Sequence, residues 1–178
     1  MIYTVTLNPS IDYVAQVTDL TLGSVNRSHA EFKFPGGKGI NVSRILNRLA
    51  IESKLLGFVG GFTGKFIQDK LISEGLNCDF VEISDDSRIN IKLRAAQETE
   101  INGAGPEISS TEIAQLKAQL QQLTSADTVV LSGSAPASLP AGFYQELIEI
   151  IAAQEAQFVI DTTGQALLDA LKYKPLLI

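Results

Sequence analysis

The chain has 178 residues, of which 45% are hydrophobic, and its 14 Lys+Arg against 20 Asp+Glu give a formal net charge of -6. This length suits one domain or the larger part of one, and the acidic balance argues against nonspecific nucleic-acid binding, which needs a basic surface. A single cysteine excludes an internal disulfide framework and a Cys-rich zinc site. No apolar run approaches the roughly 20 residues that span a bilayer, and the first residues lack the basic region of a signal peptide, so we expect a cytoplasmic chain.

Short apolar, β-branched runs alternate along the chain with segments of helical spacing. The predicted strands cover residues 2–7, 54–59, 128–131 and 157–160. Apolar residues at i, i+3, i+4 and i+7 predict a helix over Val42–Leu49, a similar spacing predicts one over Ile113–Leu123, and Phe143–Ile151 carries a third. Ser109 and Glu112 have the spacing of a capping box. The alternation predicts right-handed β-α-β units and a mostly parallel sheet flanked by helices.

Two stretches, approximately 12–34 and 88–102, interrupt this rhythm. Residues 13–17 and 30–34 have strand character, and residues 89–101 alternate between an apolar face and a polar face. A strand with one polar face does not belong in a parallel sheet that is buried on both sides. We therefore predict a small antiparallel sheet outside the main α/β body.

The last five residues, Lys174 to Ile178, have the composition of the beginning of a buried strand. A natural domain rarely ends in the middle of such a strand, so we expect the chain to be part of a longer polypeptide. A terminal edge strand is the alternative.

Small and polar residues follow each predicted strand. In open parallel sheets, ligands bind beyond the carboxyl ends of the strands. The loops that this rule selects are 8–12, 60–64, 132–134 and 161–164. The sequence therefore predicts a polar ligand crevice at this edge of the sheet.

The segment Pro-Gly-Gly-Lys-Gly-Ile-Asn at 35–41 runs into the first predicted helix. Glycines let backbone N–H groups approach a ligand, and a helix N-terminus favours an anion. Lys38 adds a cation and Asn41 an amide, so a phosphate or a sugar hydroxyl would suit this turn. A tight strand-to-helix turn without a ligand is the alternative. The segment is not a Walker A loop. No Gly-x-Gly-x-x-Gly fingerprint follows the first strand, which argues against a nicotinamide oxidoreductase.

Charged and amide side chains occupy both interrupted stretches. Asp12 follows the first strand and could accept hydrogen bonds from sugar hydroxyls, or could be a plain turn residue. Arg88, Asn90, Lys92 and Arg94 share the polar face of their strand. Two or three charge-assisted hydrogen bonds, each worth roughly 1.5–3 kcal/mol, could hold a sugar phosphate there. A solvated strand face is the alternative.

Several motifs occur in a fixed order: Thr-Leu-Asn-Pro-Ser-Ile-Asp at 6–12, Gly-Gly-Lys-Gly-Ile-Asn-Val at 36–42, Thr-Gly at 63–64, Arg-Ile-Asn-Ile-Lys at 88–92 and Ser-Gly-Ser at 132–134. Over all 178 residues this order resembles the ribokinase-like (PfkB) carbohydrate kinases. Within them it resembles the phosphosugar branch of 1-phosphofructokinases and tagatose-6-phosphate kinases.

The resemblance implies a Rossmann-like α/β body with a β lid, of which residues 1–178 form the N-terminal part of one domain. It implies that Asp12, Gly36, Gly37 and Asn41 bind sugar hydroxyls and that Arg88 binds the phosphate. Lys38, Asn90 and Lys92 are nearby candidates, and Ser132 and Gly133 would line the floor of the crevice. The lid often forms the dimer contact in this family, which implies a homodimer.

The implied reaction is the ATP- and Mg²⁺-dependent phosphorylation of fructose 1-phosphate to fructose 1,6-bisphosphate. The acidic metal motif and the Gly-Ala-Gly-Asp loop of this family, whose Asp is the catalytic base, do not occur in the 178 residues. We therefore expect the chain to hold the sugar half of the site and to be inactive alone. The alternatives are tagatose 6-phosphate as substrate and a noncatalytic sugar-phosphate-binding module.

Overall fold

A computed structural model describes all 178 residues. In chain order its elements are β1 Ile2–Thr6, β2 Ser10–Gln16, β3 Ala30–Gly36, α1 Lys38–Arg48, β4 Ser53–Gly60, α2 Gly61–Ser73, β5 Asn77–Cys78, β6 Val81–Ile83, β7 Arg88–Arg94, β8 Glu98–Asn102, α3 Ser110–Leu120, β9 Thr128–Ser132, α4 Phe143–Ala153, β10 Gln157–Asp161 and α5 Gln165–Leu171. None of these helices has the length and apolar character needed to cross a membrane.

The larger sheet has the order β10-β9-β1-β4-β5, with β6 also paired to β4, and every pair is parallel. Its core side chains include Val5, Leu131 and Phe58, each fully buried. The predicted mostly parallel sheet flanked by helices is confirmed. Since β1, β9 and β10 are in parallel register, the residues that follow them meet at one edge of the sheet.

Helix α1 forms where its pattern predicts a helix, but the apolar stripe is not its buried face. Ile45 is 52% exposed and Leu49 is 63% exposed, whereas Gly39, Ile40 and Ser43 are buried. A Cβ atom at position 39 would lie 2.9 Å from the carbonyl oxygen of Val5. Because the helix crosses β1 this closely, the crossing itself falls at Gly39 and Ser43, and Ile40 is the large apolar side chain that α1 buries.

Helix α3 begins with the predicted capping box. The Ser109 hydroxyl accepts from the Glu112 N–H at 3.3 Å, and the Glu112 carboxylate accepts from the Ser109 N–H at 2.6 Å. The other carboxylate oxygen accepts from the Ser84 N–H at 2.8 Å. Glu112 therefore ties the helix to the segment that follows β6.

The smaller sheet has the order β3-β2-β7-β8. Strands β2/β3 and β7/β8 are antiparallel hairpin-like pairs, but β2 and β7 run parallel, so the sheet is mixed rather than wholly antiparallel as predicted. The reason is topological, since the chain leaves the main body twice, along β2 and along β7, in the same direction. We call this four-stranded sheet the small sheet.

Residues 174–178 lie beside β10. Leu177 forms an isolated parallel bridge with Val159, and the Leu176 N–H donates to the Phe158 carbonyl at 2.7 Å. Leu176, Leu177 and Ile178 are 60%, 64% and 67% exposed. The segment thus pairs with the sheet as predicted, but its side chains are not buried.

Candidate functional site

A cavity of about 400 Å³ lies where the carboxyl ends of β1, β9 and β10 face the small sheet. None of its lining residues is hydrophobic. We call it the central cavity, and its lining consists of Thr6, Asn8, Ser10, Asp12, Gly37, Lys38, Asn41, Arg88, Asn90, Ser132, Gly133, Ser134, Thr162 and Thr163. A lining of hydroxyls, amides and charges suits a highly polar ligand.

The N-terminus of α1 opens into this cavity. Gly37 precedes the helix with a φ of 139°, which favours glycine, and no side chain caps the first turn. Lys38 and Asn41 belong to that turn and also line the cavity. Free N–H groups at a helix start and a neighbouring lysine together favour an anion.

Arg88 stands at the start of β7 and bridges two backbone segments. Its Nε donates to the Asn8 carbonyl and its Nη1 donates to the Gly103 carbonyl, each at 3.2 Å. Burial lowers the pKa of the guanidinium, and the negative charge of Asp12 opposes that shift. An arginine nevertheless stays charged, and its five N–H donors leave several for a ligand, so Arg88 is a fixed cation at the cavity wall.

Asp12 presents one free carboxylate oxygen. Its Oδ1 accepts from the Ser10 hydroxyl at 2.8 Å and from the Asn90 amide at 3.0 Å. No protein group donates to Oδ2. Because a carboxylate accepts several hydrogen bonds, Asp12 can still accept from hydroxyls of a ligand.

Three polar atoms of the cavity lining are buried without a hydrogen-bond partner. They are Thr6 Oγ1, Asn8 Oδ1 and Ser132 Oγ, on residues that are 2%, 5% and 1% exposed. Buried polar groups are nearly always paired in folded proteins, so exceptions call for a specific reason. We call them the floor atoms, and their shared position in one cavity is the feature that a polar ligand would explain.

The turn that follows β9 is held from both sides. Gly133 adopts a φ of 98°, its N–H donates to the Asp161 carbonyl at 3.0 Å, and its carbonyl accepts from the Tyr144 hydroxyl at 2.9 Å. Burial raises the pKa of Tyr144, and the charge of Asp161 adds to this shift, so the phenol remains a donor. The backbone of residues 132–134 is therefore fixed at the cavity edge.

The central cavity contains eight of the ten residues singled out in the sequence: Asp12, Gly37, Lys38, Asn41, Arg88, Asn90, Ser132 and Gly133. Gly36 and Lys92 instead line two neighbouring cavities, both of which share Asp12 with the central one. Lys92 forms an ion pair with Glu100 at 2.8 Å, and this hydrogen bond raises the pKa of the lysine.

Six further lining residues were not selected individually from the sequence: Thr6, Asn8, Ser10, Ser134, Thr162 and Thr163. Five of them lie in the loops that follow predicted strands. The position of a loop after a strand therefore indicates where the cavity lies, but not which residue of the loop lines it. Thr6 lay inside a predicted strand, and no local pattern marks it as a cavity residue.

Residues 5–177 match the pfkB family of carbohydrate kinases. The chain therefore belongs to the pfkB family of carbohydrate kinases. Two relatives with high similarity are a 1-phosphofructokinase of Bacillus subtilis, 52% identical over 99% of this chain, and a D-tagatose-1-phosphate kinase of Bacillus licheniformis, 39% identical over 100% of this chain. The chain spans 58% and 59% of the length of these two relatives.

The fold is also similar to that of solved phosphofructokinase structures. A crystal structure described as a putative phosphofructokinase from Staphylococcus aureus superimposes with a TM-score of 0.93 at 48% sequence identity. The superposition covers 99% of this chain and 58% of that one. The ribokinase-like architecture expected from the motif order is thereby confirmed.

Proposed function

We propose that this chain supplies the sugar-phosphate site of an ATP-dependent kinase that converts fructose 1-phosphate to fructose 1,6-bisphosphate. One observation carries the proposal: a cavity without a single hydrophobic lining residue contains the fixed cation Arg88 and the half-free carboxylate of Asp12. A phosphorylated sugar presents an anion and several hydroxyls, which are the groups that these side chains complement. The name of the Bacillus subtilis relative supports the choice of fructose 1-phosphate.

Each part of the cavity has a proposed role. Arg88 binds the phosphate together with Lys38 and the start of α1, through charge-assisted hydrogen bonds. Asp12, Asn41 and the backbone at Gly36 and Gly37 bind the sugar hydroxyls. Ser132 and Gly133 form the floor. Lys92 stays a weaker candidate, because Glu100 already neutralises it.

Phosphoryl transfer depends on positioning and electrostatics more than on covalent chemistry by the protein. ATP is the proposed donor and Mg²⁺ the proposed metal. No group of three His, Cys, Asp or Glu side chains in this structure could hold a metal ion, so we assign Mg²⁺ to no residue of this chain. We assign the catalytic base to none either, and propose that these 178 residues bind the sugar phosphate without turning it over.

The small sheet is the proposed lid and the proposed contact with a second copy of the chain. Its strands place residues of β2 and β7 over the cavity. On the face away from the cavity, Ile91 and Ile101 lie opposite each other and are 40% and 59% exposed. Adjoining apolar side chains on one exposed face form a candidate contact surface.

Calorimetric titration of the chain with fructose 1-phosphate tests the proposal. We expect binding that Arg88→Ala weakens at least tenfold, since a charge-assisted bond of roughly 1.5–3 kcal/mol is lost. Arg94→Ala is the matched control, because Arg94 lies on the same strand but pairs with Glu98 outside the central cavity. Failure of the wild-type chain to bind fructose 1-phosphate would contradict the proposed substrate.

The sequence left tagatose 6-phosphate as the alternative substrate, but the Bacillus licheniformis relative is named a D-tagatose-1-phosphate kinase, so D-tagatose 1-phosphate is the second candidate. The two sugar phosphates are titrated side by side, and tighter binding of the tagatose compound would reassign the substrate. ATP-dependent turnover is followed in the same samples by a coupled assay. Measurable turnover by the chain alone would contradict the assignment of the transfer chemistry to groups outside it.

A further inference from the structure

We propose that Ser10 and Asn90 are positioning residues that fix the carboxylate of Asp12 for sugar hydroxyls. The inference rests on the proposed function, because it gives Asn90 a task within that site. Asn90 is expected from the sequence to lie near the phosphate, but its amide nitrogen lies 3.0 Å from both Ser10 Oγ and Asp12 Oδ1. Its partners are therefore the groups around the carboxylate.

The donors and acceptors of this cluster allow only one arrangement. The Gly103 N–H donates to Asn90 Oδ1 at 3.2 Å, which fixes the orientation of the amide and turns its N–H groups toward Ser10 and Asp12. The Ser10 hydroxyl has a single hydrogen. Since it accepts from Asn90, that hydrogen is available for Asp12 Oδ1 at 2.8 Å.

The two hydrogen bonds that the cluster makes to Asp12 end on the same carboxylate oxygen. Oδ1 of Asp12 receives both bonds, so the side chain is held in one rotamer with Oδ2 left for the cavity. A side chain fixed before binding loses less conformational entropy on binding than a free one. The cluster thus improves hydroxyl binding through Asp12.

Burial and register protect the arrangement. Ser10 is 1% exposed and Asn90 is 8% exposed, and Asn90 lies directly beside Asp12 in the parallel pairing of β2 with β7. On the other side, β3 places Gly36 opposite Ser10. A Cβ atom at position 36 would lie 2.6 Å from both Asp12 Oδ1 and Ser10 Oγ, so glycine leaves the space that the cluster occupies.

Gly103 links this cluster to Arg88, the residue that we propose binds the phosphate. Its N–H binds Asn90 and its carbonyl accepts from Arg88, so one residue after β8 contacts both. Its own substitution would mix the two effects, since a Cβ atom there would lie 2.9 Å from the Ile89 carbonyl oxygen. Ser10 and Asn90 are the positions that separate hydroxyl binding from phosphate binding.

The test compares the wild-type chain with Ser10→Ala and Asn90→Ala, which change no charge in the cavity, by calorimetric titration with fructose 1-phosphate and with inorganic phosphate. We expect both variants to bind fructose 1-phosphate at least tenfold more weakly, while their affinity for inorganic phosphate stays within twofold of the wild type. Ser28→Ala is the matched control, because Ser28 donates to Glu31 at 2.7 Å in an exposed part of the chain. It should change neither affinity.

A double-mutant cycle shows whether Ser10 acts through Asp12. In an Asp12→Ala background, Ser10→Ala should cause no further loss of fructose 1-phosphate affinity, whereas equal losses in both backgrounds would overturn the inference. Wild-type affinity in Ser10→Ala or Asn90→Ala would also overturn it. Thermal melting checks each variant for folding, and if Asn90→Ala does not fold, the Ser10 cycle decides. If the wild-type chain binds inorganic phosphate but not fructose 1-phosphate, the proposed function fails and the inference fails with it.

Discussion

Nζ of Lys38 lies 3.1 Å from Oδ1 of Asp161, so the first turn of α1 is joined to the end of β10 across the mouth of the central cavity. The two side chains are 54% and 57% exposed. An exposed pair of this kind contributes about 0–1 kcal/mol to stability. Its larger effect is electrostatic, because Asp161 offsets one of the two cations that we propose for the phosphate.

Replacing Asp161 with Asn should therefore strengthen the binding of fructose 1-phosphate. We expect a gain of about two- to fivefold at low salt, in line with a contribution of up to about 1 kcal/mol, and a smaller gain at high salt because of screening. Titration calorimetry at two ionic strengths measures both. Asp69→Asn is the control, since Asp69 pairs with Lys65 away from the central cavity. Weaker binding by Asp161→Asn would mean that Asp161 itself contacts the ligand.

At Thr6, which carries one of the floor atoms, we expect a substitution to have opposite effects on stability and on ligand binding. Its Oγ1 is buried and unpaired, so Thr6→Val should raise the free energy of unfolding by about 1 kcal/mol by removing an unsatisfied polar group. The same change should weaken fructose 1-phosphate binding. Thr4→Val is the matched control on the same strand, because the Thr4 hydroxyl is bonded to Ser43 at 2.7 Å. Urea titration should show destabilisation at Thr4 and stabilisation at Thr6, and the same sign at both positions would refute the argument.

Gly36→Ala should strongly weaken sugar binding. The added methyl group would meet Asp12 Oδ1 and Ser10 Oγ at 2.6 Å and displace the carboxylate. We expect at least a tenfold loss of fructose 1-phosphate affinity. Gly23→Ala serves as the comparison, because its Cβ atom meets nothing within 4 Å, although its φ of 75° disfavours alanine. That variant should lose about 1 kcal/mol of stability and no affinity, as followed by melting and titration.

Glu112 makes stability depend on pH. Burial pushes its pKa upward, but hydrogen bonds from Ser109 and Ser84 outweigh burial and the net pKa lies below the usual 4.5. A carboxyl group with a depressed folded-state pKa stabilises the fold above its unfolded-state pKa, and this contribution is lost as the pH falls through the folded-state value. Unfolding curves below pH 4.5 should show the loss, and Glu112→Gln should reduce the slope. Equal slopes for wild type and variant would exclude Glu112 as the source.

The small sheet should mediate self-association. If a second copy packs on the apolar face that carries Ile91 and Ile101, Ile91→Asp should shift the chain from dimer to monomer in sedimentation velocity. Burying an unpaired charge there is costly, so we expect at least a tenfold increase in the dimer dissociation constant. Ile72→Asp on α2 is the control, since Ile72 is 53% exposed and lies outside the small sheet. A wild-type chain that is monomeric at all concentrations would refute this interface.

Local patterns predicted most of the secondary structure. The β-branched runs became β1, β4, β9 and β10, and the Ser109–Glu112 spacing formed the capping box. Two helices were not predicted: α5, in which only Ala170 is buried, and the longer α2, whose buried positions include Thr63 and Gly64 as well as Ile67 and Leu71. The apolar stripe of α1 does not indicate its buried face, since the contact with β1 falls at Gly39 and Ser43 and the buried apolar side chain is Ile40.

By itself the sequence determined the alternation of strands and helices, the polar strand ends and the motif order that marks a carbohydrate kinase. These depend on neighbours close along the chain. Only the tertiary structure decided that Asn90 supports Asp12 while Lys92 turns to Glu100, and that Thr6 belongs to the cavity. Asn90 and Asp12 are 78 residues apart in the chain. The register of the strands decides which side chains meet across the sheet, and no local sequence pattern encodes that register.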